Sequence, residues 1–339
     1  MLIVLKPDAK PKQIEKVCAE VRAMGFQPHP MPGAGRTAIG ITGNKGPVNP
    51  LPFESLPGVE RCIPVTKGYK LVLREMKPEG TVIDLQSAKV GGGKTFTIIA
   101  GPCSVESRKQ MDQVARFVKD QGVNILRGGA FKPRSSPYSF QGLEMEGLEI
   151  LKETGAKHGL ATITEVMDTS TVEAVSAAAD VLQIGARNMQ NFSLLKKVGK
   201  APKPVFLKRG MSATLEELLL AAEYVLHGGN YNVILCERGV RTFADHTRNT
   251  LDLSIVPSVQ RLSHLPIFVD PSHAIGRRHF VEPMAKAALA CGADGLMIEV
   301  TPDPDHALSD GAQTLDFKGF EQLVESLRPL AKVLGRTLN

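Results

Sequence analysis

Tryptophan is absent from the sequence, and tyrosine occurs only four times. Few aromatic side chains are therefore available to stack on nucleic-acid bases. The net charge of +6 is mild, and the charged residues are spread along the chain. Such a charge suits small anionic molecules at least as well as it suits nucleic acid. We therefore expect small-molecule ligands and no nucleic-acid partner.

Long apolar segments are also missing. No apolar run approaches the roughly 18–20 residues that a membrane-spanning helix needs. The first eight residues lack the charged region and the small-residue cleavage site of a signal peptide. The five cysteines are odd in number and form no C-x-x-C pair, which fits reduced thiols better than a disulfide framework. The sequence therefore predicts a cytoplasmic protein without membrane segments.

A chain of 339 residues with 42% hydrophobic and 22% charged residues predicts a globular protein of two domains. Residues 1–70 show strand, helix, strand, strand, helix, strand in that order, which is the ferredoxin-like pattern. The predicted strands are 2–5, 26–31, 37–42 and 59–65, and the helices are 12–24 and a short turn near Phe53. Residues 71–94 are predicted to form a linker with one strand-like piece at 81–85.

From residue 95 to the C-terminus, short apolar runs alternate with helical patterns. The predicted strands are 96–100, 123–126, 161–164, 181–184, 205–208, 233–237, 267–269 and 295–298. Helical patterns include 107–121, 145–158, 214–228 and 283–291. Eight such strands over about 240 residues are typical of a (β/α)8 TIM barrel. A doubly wound open sheet is the alternative, although it rarely needs so many parallel strands.

The C-terminal ends of the predicted strands carry polar and charged residues, and in a barrel these ends share one mouth. Guanidinium and ammonium groups there suit a multiply charged anion. They are contributed by Arg127, Arg187, Lys208 and Arg238. The loop after Arg127 adds Lys132, Arg134 and Ser135, which could hold a second anion. A solvated basic surface loop is the alternative interpretation of that loop.

The same strand ends supply a thiol, an imidazole and carboxylates, from Cys103, His273, Glu299 and Asp310. A mixed set of sulfur, nitrogen and oxygen donors fits a divalent Mn, Fe, Co or Zn ion better than Mg or Ca. Each residue also has a plain structural interpretation. Cys103 could be a small packing residue, His273 could cap a helix, and Glu299 could pair with a nearby arginine.

Long stretches at these strand ends resemble 3-deoxy-D-arabino-heptulosonate 7-phosphate (DAHP) synthases of the class related to 3-deoxy-octulosonate 8-phosphate synthase. The resemblance extends from about residue 96 to the C-terminus. The segment before it is similar to the regulatory domain of some members, without a comparably sharp motif. The matching stretches are Gly101-Pro-Cys-Ser-Val-Glu106, Arg127-Gly-Gly-Ala-Phe-Lys-Pro-Arg-Ser-Ser136, Gln183-Ile-Gly-Ala-Arg-Asn188, Leu207-Lys-Arg-Gly210, Cys236-Glu-Arg-Gly239 and Asp270-Pro-Ser-His273.

This resemblance implies condensation of phosphoenolpyruvate with erythrose 4-phosphate and water to give DAHP and phosphate, the opening step of the shikimate route to aromatic amino acids. It implies a phosphoenolpyruvate site formed by Arg127, Ala186, Arg187, Lys208 and Arg238. It places the aldose phosphate on Lys132, Pro133, Arg134 and Ser135. The divalent metal would be held by Cys103, His273, Glu299 and Asp310. Lys132, Cys103 and His273 are expected to be catalytic, with Lys132 as a proton donor to the new alkoxide.

Other functions stay open at this stage. The sister synthase uses arabinose 5-phosphate, but its loop typically has Lys-Ala-Asn-Arg-Ser-Ser, whereas here Lys132 is followed directly by Pro133 and Arg134. A non-catalytic anion-binding sensor is a further alternative. The resemblance also implies a homotetramer whose N-terminal domain binds tyrosine or phenylalanine as an inhibitor, while a passive oligomerisation module is the alternative for that domain.

Overall fold

The computed structural model of the protein describes residues 1–33, 35–44, 46–65, 68–133, 136 and 138–338. Its N-terminal unit is an antiparallel sheet with the strand order β2-β3-β1-β4. The elements are β1 (Leu2–Leu5), α1 (Pro11–Ala23), β2 (Gln27–Pro32), β3 (Thr37–Thr42), α2 (Leu51–Glu54) and β4 (Val59–Ile63). This is the ferredoxin-like order that the sequence predicts.

Both faces of this N-terminal sheet are covered. Ile3, Leu5 and Ile41 face the unit's own helices and pack into a small core with α1 and α2. Leu2 and Val4 point the other way, because successive strand residues alternate between the faces. They belong to the same hydrophobic cluster as the barrel and its outer helices. The unit is therefore packed against the barrel through an apolar face.

The segment between the two units contains a hairpin that closes the bottom of the barrel. A 3-10 turn (Arg74–Met76) precedes β5 (Val82–Asp84) and β6 (Lys89–Gly91), which pair antiparallel. The apolar side chains of this hairpin are buried in one cluster with the inward-facing residues of the barrel strands. The hairpin contributes Ile83, Leu85, Ala88 and Val90 to this cluster.

The described residues from 95 onwards contain a closed barrel of eight parallel strands. Neighbouring strands pair in chain order from β7 to β14, and β14 pairs back to β7. The strands are β7 (Thr95–Gly101), β8 (Ile125–Arg127), β9 (Ala161–Glu165), β10 (Val181–Ile184), β11 (Val205–Lys208), β12 (Val233–Glu237), β13 (Ile267–Val269) and β14 (Gly295–Glu299). A final strand, β15 (Thr337–Leu338), pairs with the beginning of β7. The TIM-barrel prediction is confirmed.

Helices cover the outside of the barrel, and several begin at side-chain caps of the kind that satisfy the free amides of a first turn. Ser107 caps α3, and Thr214 with Glu217 forms a capping box on α7. The helices are α3 (Arg108–Asp120), α4 (Glu144–His158), α5 (Val172–Ala178), α6 (Phe192–Val198), α7 (Leu215–His227), α8 (Ile255–Leu262), α9 (Pro271–Ile275), α10 (Val281–Ala290) and α11 (Phe317–Val333). None of the helices in the described part of the chain is both long and apolar enough to cross a membrane.

The N-terminal unit and the connecting segment are attached to the barrel by polar contacts away from the mouth. The Glu223 carboxylate on α7 accepts hydrogen bonds from the backbone amides of Lys70, Leu71 and Val72, at 2.9, 2.9 and 3.1 Å. His29 in β2 bonds the Tyr231 hydroxyl at 3.1 Å, just before β12 begins. These contacts lie towards the N-terminal ends of the strands, so the docked unit leaves the mouth open. A cavity of about 760 Å³ separates the β2–β3 edge from α6 and α7.

Candidate active site

The first strand of the barrel ends on a glycine that the site requires. Gly101 has a φ of +152°, and a Cβ atom there would lie 2.1 Å from the carbonyl oxygen of Arg127. Only glycine allows β7 and β8 to approach so closely at their C-terminal ends. The next residues turn the chain so that Cys103 is buried at the mouth, with 3% of its surface exposed.

Four potential metal ligands converge at this point. Among the described residues, Cys103, His273, Glu299 and Asp310 offer ligand atoms that all lie within 4.8 Å of one another. The Cys103 thiol donates to the Asp310 carboxylate at 3.1 Å. Nε2 of His273 lies 3.1 Å from the Glu299 carboxylate. The donor set is the mixed one that fits a borderline divalent ion, so these residues fit the metal that the sequence predicts.

Charges within the ligand cluster shift the pKa values of His273 and Glu299. Burial alone lowers the pKa of His273, but the neighbouring Asp270 and Glu299 carboxylates raise it to about 9. Burial alone raises the pKa of the Glu299 carboxyl, yet His273 and Arg127 hold it well below its usual range. Glu299 is therefore a carboxylate in the folded protein. A cation at this position, whether a proton on His273 or a metal ion, compensates its buried negative charge.

Cations surround the opening next to the metal ligands. Arg127, Lys132, Lys208 and Arg238 are buried with 4–8% of their surface exposed, whereas Arg187 is exposed. All line one cavity at the mouth, together with Pro133, Glu165, Gln183, Gly185, Ala186, Arg248, His273 and Asp310. Lys132 donates from Nζ to the sulfur and to the carbonyl oxygen of Cys103, at 3.0 Å each. Such a density of buried positive charge favours a polyanionic ligand.

Arg238 carries an unsatisfied group in this cavity. Its Nη2 donates to the carbonyl oxygen of His273 at 3.1 Å. Its Nη1 is buried and has no hydrogen-bond partner among the described residues. Burial, the largest influence, lowers the pKa of the guanidinium. An unpaired buried donor is costly, so it indicates a position for an acceptor supplied by a ligand.

Several residues that join the cation pocket to the metal ligands escaped the sequence interpretation. Asp270 accepts from Nδ1 of His273 at 2.7 Å and from the Lys208 ammonium, which orients both side chains. Gln313 donates to Glu299 at 2.6 Å and accepts from Arg248 at 3.0 Å. Asp270 follows a predicted strand and lies in a quoted motif, so its position was a usable signal. Gln313 ends a short 3-10 turn (Gly311–Gln313) and has no such signal.

One structural alternative for the predicted metal ligands is observed, and the helix cap proposed for His273 is not. Glu299 does pair with an arginine, since Nη1 of Arg127 lies 2.6 Å from its carboxylate. The cap of α9 comes from Asp270, whose carboxylate accepts from the backbone amide of His273 at 2.9 Å. Arg134 and Ser135, predicted to bind the aldose phosphate, lie outside the described residues. Pro133 and Ala186 line the cavity as described above.

Glu165 ends β9 and is a further carboxylate in the mouth cavity. Its carboxylate accepts from the Gln183 side chain at 3.2 Å. It lies so close to Gly185 that a Cβ atom there would meet its oxygen at 2.0 Å. The glycine of the Ile-Gly-Ala-Arg stretch therefore makes room for a carboxylate among the cations of the mouth.

Comparison with known proteins identifies the family to which the chain belongs. The model of the DAHP synthetase I family matches residues 79–334, and the DAHP synthase ferredoxin-like domain matches residues 1–67. The phospho-2-dehydro-3-deoxyheptonate aldolase of Thermotoga maritima is 52% identical over 339 residues, which is all of both chains. The 2-dehydro-3-deoxyphosphooctonate aldolase of Nitrobacter hamburgensis is 33% identical over 266 residues, covering 73% of this chain and 91% of that protein.

Solved structures show the same relationship. The crystal structure of the Thermotoga maritima phospho-2-dehydro-3-deoxyheptonate aldolase (DAHP synthase) aligns with a TM-score of 0.80 and 51% identity, covering 100% of this chain and 99% of that one. A truncated form of that enzyme aligns with a TM-score of 0.75 and 51% identity, covering 80% of this chain and 99% of the truncated one. The chain therefore belongs to the DAHP synthetase I family and is a DAHP synthase with an N-terminal ferredoxin-like domain.

Proposed function

We propose that the residues at the barrel mouth carry out the DAHP synthase reaction in named roles. Phosphoenolpyruvate binds to Arg127, Ala186, Arg187, Lys208 and Arg238. Erythrose 4-phosphate binds to Lys132, Pro133, Arg134 and Ser135. The observation that carries this assignment is the buried, unpaired Nη1 of Arg238 within a cluster of cations directly beside the metal ligands.

The reaction joins C3 of phosphoenolpyruvate to the aldehyde carbon of erythrose 4-phosphate, while water adds at C2 and phosphate leaves from C2. The buried cations bind the phosphate and carboxylate oxygens and stabilise the negative charge on the phosphate that leaves. Lys132 lies beside Cys103 and donates hydrogen bonds towards the metal ligands. Its ammonium is therefore placed to give a proton to the alkoxide that forms from the aldehyde.

Cys103, His273, Glu299 and Asp310 would hold a divalent ion, for which Mn, Fe, Co and Zn are the candidates. When bound, the ion supplies a Lewis acid that polarises or orients the aldehyde. Asp270 fixes the ring of His273 through Nδ1, which leaves Nε2 directed towards Glu299 and the ligand cluster.

The sister activity with arabinose 5-phosphate is the second candidate, since a 2-dehydro-3-deoxyphosphooctonate aldolase is among the relatives. The loop after Lys132 favours erythrose 4-phosphate because Pro133 stiffens the approach to the aldose phosphate. Release of phosphate from phosphoenolpyruvate should be measured with each aldose. We expect a clear preference for erythrose 4-phosphate in kcat/KM, and equal rates would contradict the loop argument.

The substrate roles can be separated by variants. Arg187→Ala should chiefly raise the KM for phosphoenolpyruvate, and Arg134→Ala should chiefly raise the KM for erythrose 4-phosphate. A reversed pattern would exchange the two anion sites. From the ferredoxin-like domain we also propose that tyrosine or phenylalanine is an inhibitor and that the protein forms a homotetramer. From the sequence features given above we propose that it is cytoplasmic.

A further inference from the structure

A buried ion pair lies on the outer side of the barrel wall, directly behind the pocket cations. Arg209 follows β11 and Glu237 ends β12, and their side chains are 8% and 0% exposed. Nη1 of Arg209 lies 2.8 Å from the Glu237 carboxylate and 2.9 Å from that of Asp252. The other Glu237 oxygen accepts from the backbone amide of Gly239 at 2.6 Å. Neither Arg209 nor Glu237 is among the described residues that line the mouth cavity.

Each member of the ion pair is next in sequence to a residue that lines the cavity. Lys208 precedes Arg209, and Arg238 follows Glu237. Successive strand residues point to opposite faces, so Lys208 and Arg238 point into the mouth while Arg209 and Glu237 point into the layer of helices. The strands pair with Lys208 opposite Cys236, and the Arg209 amide donates to the Cys236 carbonyl at 2.9 Å. The ion pair therefore joins the ends of β11 and β12 at positions next to Lys208 and Arg238.

We propose that Arg209 and Glu237 are positioning residues that fix the separation and direction of Lys208 and Arg238 for the phosphoenolpyruvate anion. This inference rests on the proposed phosphoenolpyruvate site. Because neither side chain lines the mouth cavity, the pair would act without touching the substrate. It holds the ends of β11 and β12 together at a point where regular strand pairing stops, and Asp252 ties the following loop to the same arginine. A displacement of about 1 Å in such a site can lower catalytic efficiency on the order of 100-fold.

The test uses the full chain and steady-state kinetics with each substrate varied in turn. Arg209→Met and Glu237→Gln should each raise the KM for phosphoenolpyruvate on the order of tenfold or more, and leave the KM for erythrose 4-phosphate within about twofold. The double variant Arg209→Met with Glu237→Leu removes both buried charges of the pair and leaves only the partly exposed Asp252 without its arginine. Its melting temperature should therefore recover relative to the single variants. Its KM for phosphoenolpyruvate should stay raised.

A control pair lies at the opposite end of the barrel, where Arg336 approaches Asp294 at 3.9 Å and both are buried. Asp294→Asn should lower stability without changing either KM. The positioning role is overturned if the double variant recovers the KM for phosphoenolpyruvate together with stability, or if Asp294→Asn raises that KM equally. Lys208→Ala and Arg238→Ala test the underlying site separately. If these leave the KM for phosphoenolpyruvate unchanged, the substrate assignment itself fails.

Discussion

At the scale of single residues, the site depends on charges that are buried in complementary sets. Glu299 has no exposed surface and is contacted by Arg127, His273 and Gln313. Removing one member of such a set leaves another charge buried and unpaired, which costs more than the lost contact itself. Substitutions at the mouth should therefore affect both metal binding and substrate binding.

Cys103→Ser should abolish most activity, because serine replaces the soft ligand of a mixed donor set. The variant should also bind Mn²⁺ or Zn²⁺ more weakly in a titration followed by calorimetry. Treating the wild-type protein with chelator should remove activity, and a divalent ion such as Mn²⁺ should restore it. Cys62→Ser, in the N-terminal unit, is the control and should leave both properties unchanged. Full activity of metal-free Cys103→Ser protein would contradict the assignment.

His264 should make stability depend on pH. It is buried between Thr81 and the Leu71 carbonyl, at 2.7 and 2.8 Å, and burial lowers its pKa to about 4. The unfolded chain, with a pKa near 6.5, binds the proton more readily than the folded chain. Stability is therefore complete above about pH 6.5 and falls as the pH drops towards 4, by about 3 kcal/mol in total.

The measurement is the free energy of unfolding by urea at pH 7.5, 5.5 and 4.5, for the wild type and for His264→Asn. The variant is less stable at pH 7.5 but should lose less stability on acidification. Because His29 has a similarly lowered pKa, only the difference between the two proteins isolates His264. Parallel curves for both proteins would show that His264 does not contribute.

At the scale of elements, the sequence predicts the barrel strands well and the connecting hairpin poorly. The strands at 181–184, 205–208, 233–237 and 267–269 were predicted with the bounds that the structure has. Their runs are apolar because both faces of a barrel strand are buried. The hairpin strands have only three residues each and one inward face, so they give a weak pattern. The contribution of residues 71–94 to the barrel core was not anticipated.

The hairpin should contribute substantially to stability. Ile83→Ala should lower the free energy of unfolding by about 2–5 kcal/mol, because Ile83 is 1% exposed and fills the barrel bottom. Val82→Ala, on the opposite face and 47% exposed, is the matched control and should cost much less. Both variants should retain the wild-type KM for each substrate. Similar losses of stability in both variants would show that the hairpin is not packed as described.

At the scale of the whole molecule, the position of the N-terminal unit could not be predicted from the sequence. Local sequence patterns predict the order of its elements. The second apolar face of its sheet consists of alternate strand residues, and their pattern does not say what packs against them. The structure packs Leu2, Val4, Met31 and Ala38 of this face against the rest of the protein. The ligand cluster could be predicted because a barrel brings strand ends together, whereas Gln313 and Arg248 come from loops whose paths the sequence does not define.

A chain that starts at residue 68 should keep DAHP synthase activity, because the barrel and all the proposed catalytic residues lie beyond that point. It should be less stable, since the apolar patch under the N-terminal sheet becomes exposed. Tyrosine and phenylalanine should inhibit the full chain and not the shortened one. Inhibition by this domain requires the N-terminal unit to leave the position described here and cover a barrel mouth. The effector must therefore bind more tightly to the protein with its mouth covered, by about 1–3 kcal/mol for useful inhibition.

The measurement is the initial rate of each form against rising concentrations of tyrosine and phenylalanine. If the full chain ignores both amino acids, the regulatory role of the domain fails and a passive module remains. If both forms respond identically, the effector site lies in the barrel. A shortened chain that is folded but inactive would show that the N-terminal unit contributes to catalysis.

The hairpin under the barrel also has a consequence for the order of events in turnover. Among the described residues, Ile83, Leu85 and Val90 fill the lower end of the barrel, so we expect molecules to enter and leave by the mouth. Arg127, Lys208 and Arg238 are buried within that mouth, whereas Ser136 and Tyr138, which follow Lys132 in the chain, are exposed. The molecule bound at the deeper position must arrive before the rim is occupied and can depart only after the rim has emptied. If the proposed substrate sites are correct, we expect phosphoenolpyruvate to bind before the sugar.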